Sequence, residues 1–504
     1  MAKSILDYLE QTASLHGDKL AFVDSNRGIT FSQLAQHAKN AAAYLLPHVK
    51  QRQPVLVCMD KCVDEIEAFM AVAYAGAFYV PLDIKMPYER MQHILNTLAS
   101  NTLITRRNDP IPEELKEACD VYYIDDMIHF DGCQKELSSR RASAIDTDPL
   151  YSIFTSGSTG MPKGILTSHR AIINFINEFG SKFDFSHEDT LASQIPFYFD
   201  ASTKDIYLTL KFGCTTYIIP QKLFMMPKQL VAFLNEKQVT GIVWVPSLLC
   251  MLANFKVFEK ELPQYLKKVF FVGEVMPTKQ LNIWRSHLPH IKYVNLYGSS
   301  EVTGNNTYYV IERDFDDTET LPIGHPFDNI DVFLLDDSDA LVTAENTIGE
   351  ICVRGTSLTF GYYHNPEKTK EVFVQNPLHN DYPELIYRTG DLGKYNEYGE
   401  LMYVSRKDHQ IKKMGHRIEL GEIEATLSPL SGVARVCCVF DEKTQRLLVA
   451  YEGTAEKEAL EKRTLEALPS YMVPSAFYHM EQLPLNANGK IDRLNIKATL
   501  LKEI

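Results

Sequence analysis

Apolar residues over roughly the first 400 positions recur in two alternating patterns. Short continuous runs such as Val55-Leu-Val-Cys58 read as strands, and stretches such as Val63 to Ala75 place apolar residues at helical spacing. Their alternation predicts an α/β unit of helix-covered parallel sheets. At the start, Ile5 and Leu9 lie at helical spacing behind a Ser4/Asp7 cap, which predicts an amphipathic helix of a mature chain and not a signal peptide. From about 345 to 405 the pattern changes to β-like runs separated by Gly and Asn, such as Gly349-Glu-Ile-Cys-Val-Arg354 and Gly399-Glu-Leu-Met-Tyr-Val404. These predict a small β-barrel-like subdomain.

After Ser405-Arg-Lys-Asp408 the pattern changes again. A polar stretch leads to an acidic helix (Glu419 to Leu427), strands at Ala434 to Phe440 and Arg446 to Tyr451, and a helix through Leu465. That suffices for a small α+β unit of roughly 100 residues. The expected division is therefore an N-terminal core, 1–405, and a small C-terminal domain, 406–504. No segment carrying an attachment serine follows, so a thiol acceptor is expected in trans.

With 504 residues, 45% hydrophobic and 23% charged, the chain has the length of two or more domains and the composition of an ordinary globular protein. A net charge of -14 disfavours a nucleic-acid-binding surface, which needs clustered Lys and Arg. An anionic substrate would then be held by a few local cations and backbone amides. No apolar run reaches the roughly 18 residues of a spanning helix, so membrane insertion is not expected. Nine scattered cysteines without a CxxC pair predict buried thiols in a reduced, cytoplasmic setting, without structural zinc.

The sharpest local signal is Thr155-Ser-Gly-Ser-Thr-Gly-Met-Pro-Lys-Gly164, directly after the strand-like Leu150-Tyr-Ser-Ile-Phe154. Glycines and hydroxyls at a strand end offer free N–H groups to a phosphate, and Lys163 adds a cation. The spacing is not that of a Walker A loop, and composition alone would also allow a solvated linker.

With this loop the sequence resembles the acyl-adenylate-forming superfamily, in particular the amino-acid adenylation domains of nonribosomal peptide synthetases and the D-alanine:carrier-protein ligases. Further motifs follow in the family's order. They include Tyr74-Ala-Gly-Ala-Phe-Tyr-Val-Pro-Leu-Asp83, Phe199-Asp-Ala-Ser202, Asn295-Leu-Tyr-Gly-Ser-Ser-Glu301, Tyr387-Arg-Thr-Gly-Asp-Leu392, Lys407 to Gly415 with Arg417-Ile-Glu-Leu-Gly-Glu-Ile-Glu424, and Asn488-Gly-Lys-Ile-Asp-Arg493.

The resemblance implies ATP and Mg²⁺ as cofactors. It assigns Thr155, Ser156, Gly157, Ser158, Thr159, Gly160 and Lys163 to the phosphates. Gly273, Glu274, Asn295, Tyr297, Gly298 and Ser299 fall to the nucleotide, Tyr297 packing on adenine. Asp391 is implied as the ribose carboxylate and Arg406 as a ribose or phosphate contact. Glu301 would coordinate Mg²⁺ and Ser300 would contact the α-phosphate region, with Ser299-Ser300 standing where the family usually has Pro-Thr. Lys490 is implied as the mobile catalytic lysine bridging substrate carboxylate and α-phosphate, and Asp408 as the hinge about which the C-terminal domain turns.

Asp200 matches the acid that pairs with the α-ammonium in amino-acid-activating members. The family's pocket positions fall on Ala201, Lys204, Trp244, Phe270, Val272, Leu296, Gly304 and Asn305, among which Lys204 is the odd member. The expected activity is ATP-dependent formation of an aminoacyl-AMP, followed by transfer to the phosphopantetheine thiol of a separate carrier protein. Alternatives are a D-alanine–carrier-protein ligase, an acyl-CoA synthetase using coenzyme A, and a silent nucleotide-binding module.

Overall fold

The computed structural model describes residues 2–132, 134–157, 161–408, 410–485 and 491–502. Helix Ile5–His16 opens with the expected capping box, Ser4 and Asp7 each closing on the other's backbone N–H. Strand Pro54–Met59 is buried throughout and feeds helix Val63–Tyr74, which covers it. The continuous apolar run is thus the mark of a strand covered on both faces.

Two large sheets form the N-terminal part. In a six-stranded sheet, Asp120–Tyr123, Thr102–Thr105, Pro54–Met59, Phe78–Asp83 and Pro149–Thr155 run parallel, with Lys163–Ser168 antiparallel at the edge. In a nine-stranded sheet the parallel centre includes Thr190–Ser193, Gly241–Trp244, Lys268–Val272 and Lys292–Tyr297. Residues 330 to 406 build a six-stranded antiparallel sheet in which Gly349–Gly355 lies between Ile330–Leu335 and Leu385–Tyr395. Its first strand precedes the predicted onset at 345.

Beyond Asp408 come a hairpin, Gln410–Lys413 with His416–Glu419, and a three-stranded sheet, Val433–Asp441, Arg446–Gly453 and Ala476–His479. This sheet is buried on both faces. Cys438 and Phe440 face helices Leu420–Leu427 and Lys457–Ala467, whereas Cys437 and Val439 face helix Arg493–Leu500. The adjacent Cys437 and Cys438 therefore point apart, as alternation in a strand requires, and the described cysteines are all free. Among the described residues, no helix is long and apolar enough to cross a membrane.

The fold matters to the site through one rule: ligands in open parallel sheets bind beyond the carboxyl ends of the strands. The 155 loop, Gly273 and Gly298 directly follow strands Pro149–Thr155, Lys268–Val272 and Lys292–Tyr297.

Candidate functional site

A cavity of about 1050 Å³ lies where these strand ends meet the C-terminal hairpin. From the N-terminal part it is lined by Thr155, Ser156, Asp200, Gly273 and Gly298 to Ser300, with Asp391 and Arg406 from the antiparallel sheet. The hairpin contributes Lys412 to Arg417. His416 stacks on Tyr471 at 3.7 Å and meets the Phe199 ring edge-on at 4.6 Å, an aromatic wall joining the two parts of the chain.

At the phosphate end, Gly157 folds the loop so tightly that a Cβ there would lie 2.0 Å from the Met161 carbonyl oxygen. Its N–H donates to Glu422 Oε2 at 3.2 Å, and the Ser156 hydroxyl donates to the Arg417 carbonyl at 2.7 Å. Lys163 Nζ lies 3.5 Å from Glu419 Oε1. Glu301 is fully buried, its oxygens 2.8 and 2.7 Å from Arg417 Nη1, with the Tyr362 hydroxyl donating at 2.8 Å. Burial opposes the charged form of Glu301, but Arg417 and Lys163 outweigh it and bring the carboxyl down to about 2. Ser299 and Ser300 line the cavity beside it.

At the nucleoside end, Asp391 and Arg406 are register partners on adjacent strands. Asp391 accepts from the Tyr297 hydroxyl at 2.5 Å and from Arg406 Nη1 at 2.6 Å. Arg406 also grips Asp408 with Nε and Nη2 at 2.7 and 2.8 Å, so the ribose candidate and the hinge candidate share one guanidinium. Lys412 Nζ lies 5.7 Å from the centre of the Tyr297 ring. Glu274 does not line the cavity and accepts the N–H groups of Ser247 and Gly415. The Asn295 amide donates to the Pro322 carbonyl at 2.8 Å, a structural bond.

At the third end, Asp200 accepts from the Tyr151 hydroxyl at 2.8 Å and from the Gly304 N–H at 3.1 Å. Gly304 has φ +79°, and a Cβ there would strike the Phe175 ring at 2.4 Å. Ala201 and Val272 complete this end of the cavity. Five sequence-derived pocket positions lie behind it: Lys204, Trp244, Phe270, Leu296 and Asn305 are buried and do not line the cavity. Trp244 is turned away because its indole N–H donates to the Ala192 carbonyl, and Phe270 because it packs among Phe179, Phe183 and Phe185. The Lys204 ammonium is fully buried 5.5 Å from the centre of the Phe175 ring, with no hydrogen-bond partner, and the Asn305 amide has none either.

Lys490, Ser158, Thr159 and Gly160 lie outside the described residues. Arg417, Glu422, Tyr151 and Tyr362 hold the site together, and none of them has a role assigned in the sequence reading. Arg417 and Glu422 stand inside one quoted motif and Tyr151 inside the strand before the phosphate loop, whereas Tyr362 carries no local signal.

The donor set suits a magnesium nucleotide. Lys163 and the N–H of Gly157 suit phosphate oxygens, and Glu301 offers an ionised carboxylate to a hard cation. Among the described residues no three His, Cys, Asp or Glu side chains converge, so Mg²⁺ at Glu301 would fill its shell from phosphates and water, as this ion prefers.

The fold and cavity define an adenylate-forming enzyme of two-part architecture. Residues 9–363 match the family model described as AMP-binding enzyme, and residues 422–490 match that of the AMP-binding enzyme C-terminal domain. The chain belongs to the AMP-binding enzyme family. It is 33% identical to part of tyrocidine synthase 3 of Brevibacillus parabrevis over 98% of its own length, and 30% identical to part of tyrocidine synthase 1 of the same organism over 97%. It spans only 8% and 44% of those two proteins. Among solved structures, holo-PA1221, an NRPS protein containing adenylation and PCP domains bound to a vinylsulfonamide inhibitor, superposes with TM-score 0.84 at 24% identity, over 100% of this chain and 84% of that one.

Proposed function

We propose that this chain activates an amino acid with ATP and passes it to the phosphopantetheine thiol of a carrier protein supplied in trans. The observation that carries the reading is Asp200, a buried carboxylate lining the cavity, oriented by the Tyr151 hydroxyl and the Gly304 N–H and fit to receive an α-ammonium. In the first step a substrate carboxylate oxygen bonds to the α-phosphorus of ATP and pyrophosphate leaves. Lys163 and the 155 loop hold the phosphates, Glu301 holds Mg²⁺, and Asp391 holds the ribose hydroxyls. When bound, Mg²⁺ screens the charge of the phosphates. In the second step the thiol sulfur bonds to the acyl carbon, the acyl C–O bond to the phosphate breaks, AMP leaves and the thiol proton passes to solvent.

The C-terminal unit from residue 406 serves as a lid hinged at Asp408, bringing Lys490 in for the first step and the 410–419 hairpin for the second. Within this reading, the unpartnered Lys204 ammonium behind Asp200 supports a substrate with a side-chain carboxylate. The test is pyrophosphate exchange with a panel of acids. Dependence on one amino acid, with thioester formed on a phosphopantetheinylated carrier, supports the proposal. Exchange with fatty or aryl acids, transfer to coenzyme A alone, or no exchange with any acid would overturn it in favour of an acyl-CoA synthetase or a silent module.

A further inference from the structure

Asp391 reaches the nucleoside end because its strand breaks register just there. Strand Leu385–Tyr395 pairs with Gly349–Gly355 through Arg388 with Cys352 and Leu392 with Glu350. Thr389, Gly390 and Asp391 therefore stand opposite the single residue Ile351. Such a bulge bends the strand and re-aims a side chain, and it leaves backbone groups outside the ladder that need other partners. Two of those groups are taken by side chains. The Asp391 N–H donates to the Thr389 hydroxyl at 2.9 Å, and that hydroxyl donates to the Ile351 carbonyl at 2.7 Å. The Gly390 N–H donates to Glu350 Oε1 at 3.0 Å, while the Gly390 carbonyl accepts the Lys407 N–H at 2.8 Å. Glu350 and Thr389 are both buried. The other oxygen of Glu350 accepts from Arg388 Nη1 at 2.9 Å and from Lys407 Nζ at 3.3 Å, so the carboxylate is itself held in place.

We propose that Glu350 is a positioning residue for ribose recognition, closing the bulge on which Asp391 stands. Neither Glu350 nor Thr389 lines the cavity, so both act through Asp391 and touch no nucleotide. The inference rests on the proposed assignment of Asp391 to the ribose hydroxyls. Asp391 is fixed from two sides. Tyr297 and Arg406 hold one carboxylate oxygen each, whereas Glu350 and Thr389 hold the backbone from which the side chain projects. Hydrogen bonds weaken within a few tenths of an ångström of their normal length, and a carboxylate takes both hydroxyls of a diol only when both oxygens arrive together. Loosening the bulge therefore removes the hydroxyl contacts and leaves those to the base and phosphate in place.

The experiment measures binding of AMP, 2′-deoxyAMP and 3′-deoxyAMP to the full chain by calorimetry. Wild type should bind AMP about tenfold or more tightly than either deoxynucleotide, the scale of one hydrogen bond to a charged group. Glu350→Ala and Thr389→Val should each bring that advantage below about threefold and keep deoxynucleotide binding within about threefold of wild type. Lys407→Met, which leaves Arg388 on Glu350 and the Gly390 bond intact, should keep the full advantage. Thr389→Val removes the other acceptor and no charge, so it carries the test if Glu350→Ala folds poorly. Equal weakening of all three nucleotides would make Glu350 a general support of the sheet, and an advantage that survives both variants would leave Asp391 independent of the bulge bonds; either overturns the proposal. Loss of the advantage in Lys407→Met would assign it to the ion pair and overturn the proposal as well. A wild type without the advantage, or an Asp391→Ala variant that keeps it, would overturn the ribose assignment itself, and the inference with it.

Discussion

Tyr151 and Asp200, 49 positions apart, meet in a buried hydrogen bond of 2.8 Å, hydroxyl to Oδ1. Burial pushes the Asp200 carboxyl up to about 6, a rise that Lys204, Tyr151 and the Gly304 N–H hold back and Glu301 adds to. Below about pH 6 the group carries a proton and no longer neutralises an α-ammonium; above it, the pairing charge is present. The expected outcome is a kcat/KM for the amino acid that falls about tenfold per pH unit on the acid side of 6, with the KM for ATP much less affected. Asp200→Asn should give a low and flat profile over the same range. A variant retaining the acid limb would assign that limb to another group.

Asp408 is gripped by Arg406 and accepts the Gln410 N–H at 3.1 Å, so it sits where the antiparallel sheet ends and the hairpin begins. Asp408→Pro fixes φ near about -65° and should leave pyrophosphate exchange within about threefold while lowering transfer to the carrier thiol at least tenfold. Asp408→Ala, which loses the carboxylate but keeps rotation, should spare both steps. Parallel loss of both activities in the folded proline variant would remove Asp408 as the hinge.

Lys490, outside the described residues, stands on its motif alone. Lys490→Ala should lower adenylate formation about a hundredfold or more, the scale of one electrostatic donor, and leave transfer from preformed aminoacyl-AMP nearly intact. Equal loss of both steps would mark it as structural.

What the sequence made legible was local. The capping pair Ser4/Asp7 and the apolar run Val55-Leu-Val-Cys58 depend on neighbours a few residues away, and helix and strand stand there. The short strand Ala476–His479 and the helix Arg493–Leu500 went unread because neither has a long periodic face. Pairings across the chain had no signal at all: Arg90 meets Glu422 across 332 positions, and Arg417 meets Glu301 across 116. Pocket depth was also out of reach. Whether Trp244 or Phe270 faces a ligand depends on what its other side bonds to, here the Ala192 carbonyl and a phenylalanine cluster.

Lys204 is the test of the proposed acidic substrate. Its ammonium is buried, and burial brings it down to about 8 against the pull of Asp200 and Asp205. Asp205 is drawn first to Lys61, and Asp200 is to be shared with the substrate's α-ammonium, so a charged Lys204 lacks a counter-charge of its own once substrate binds. A carboxylate on the substrate side chain supplies it, with the unpartnered Asn305 amide as a further donor. Ala201 and Gly304 line the cavity and Lys204 does not, so an acidic side chain reaches the ammonium only if the Lys204 side chain swings toward the cavity. Removing one partner of a buried pair costs roughly 3–5 kcal/mol, so Lys204→Met should lower activation of aspartate or glutamate a hundredfold or more and affect neutral amino acids little. The measurement is pyrophosphate exchange with L- and D-alanine, serine, aspartate, glutamate and glutamine. A wild-type preference for a neutral residue that Lys204→Met leaves unchanged would show that Lys204 closes the pocket as a wall and reads no charge.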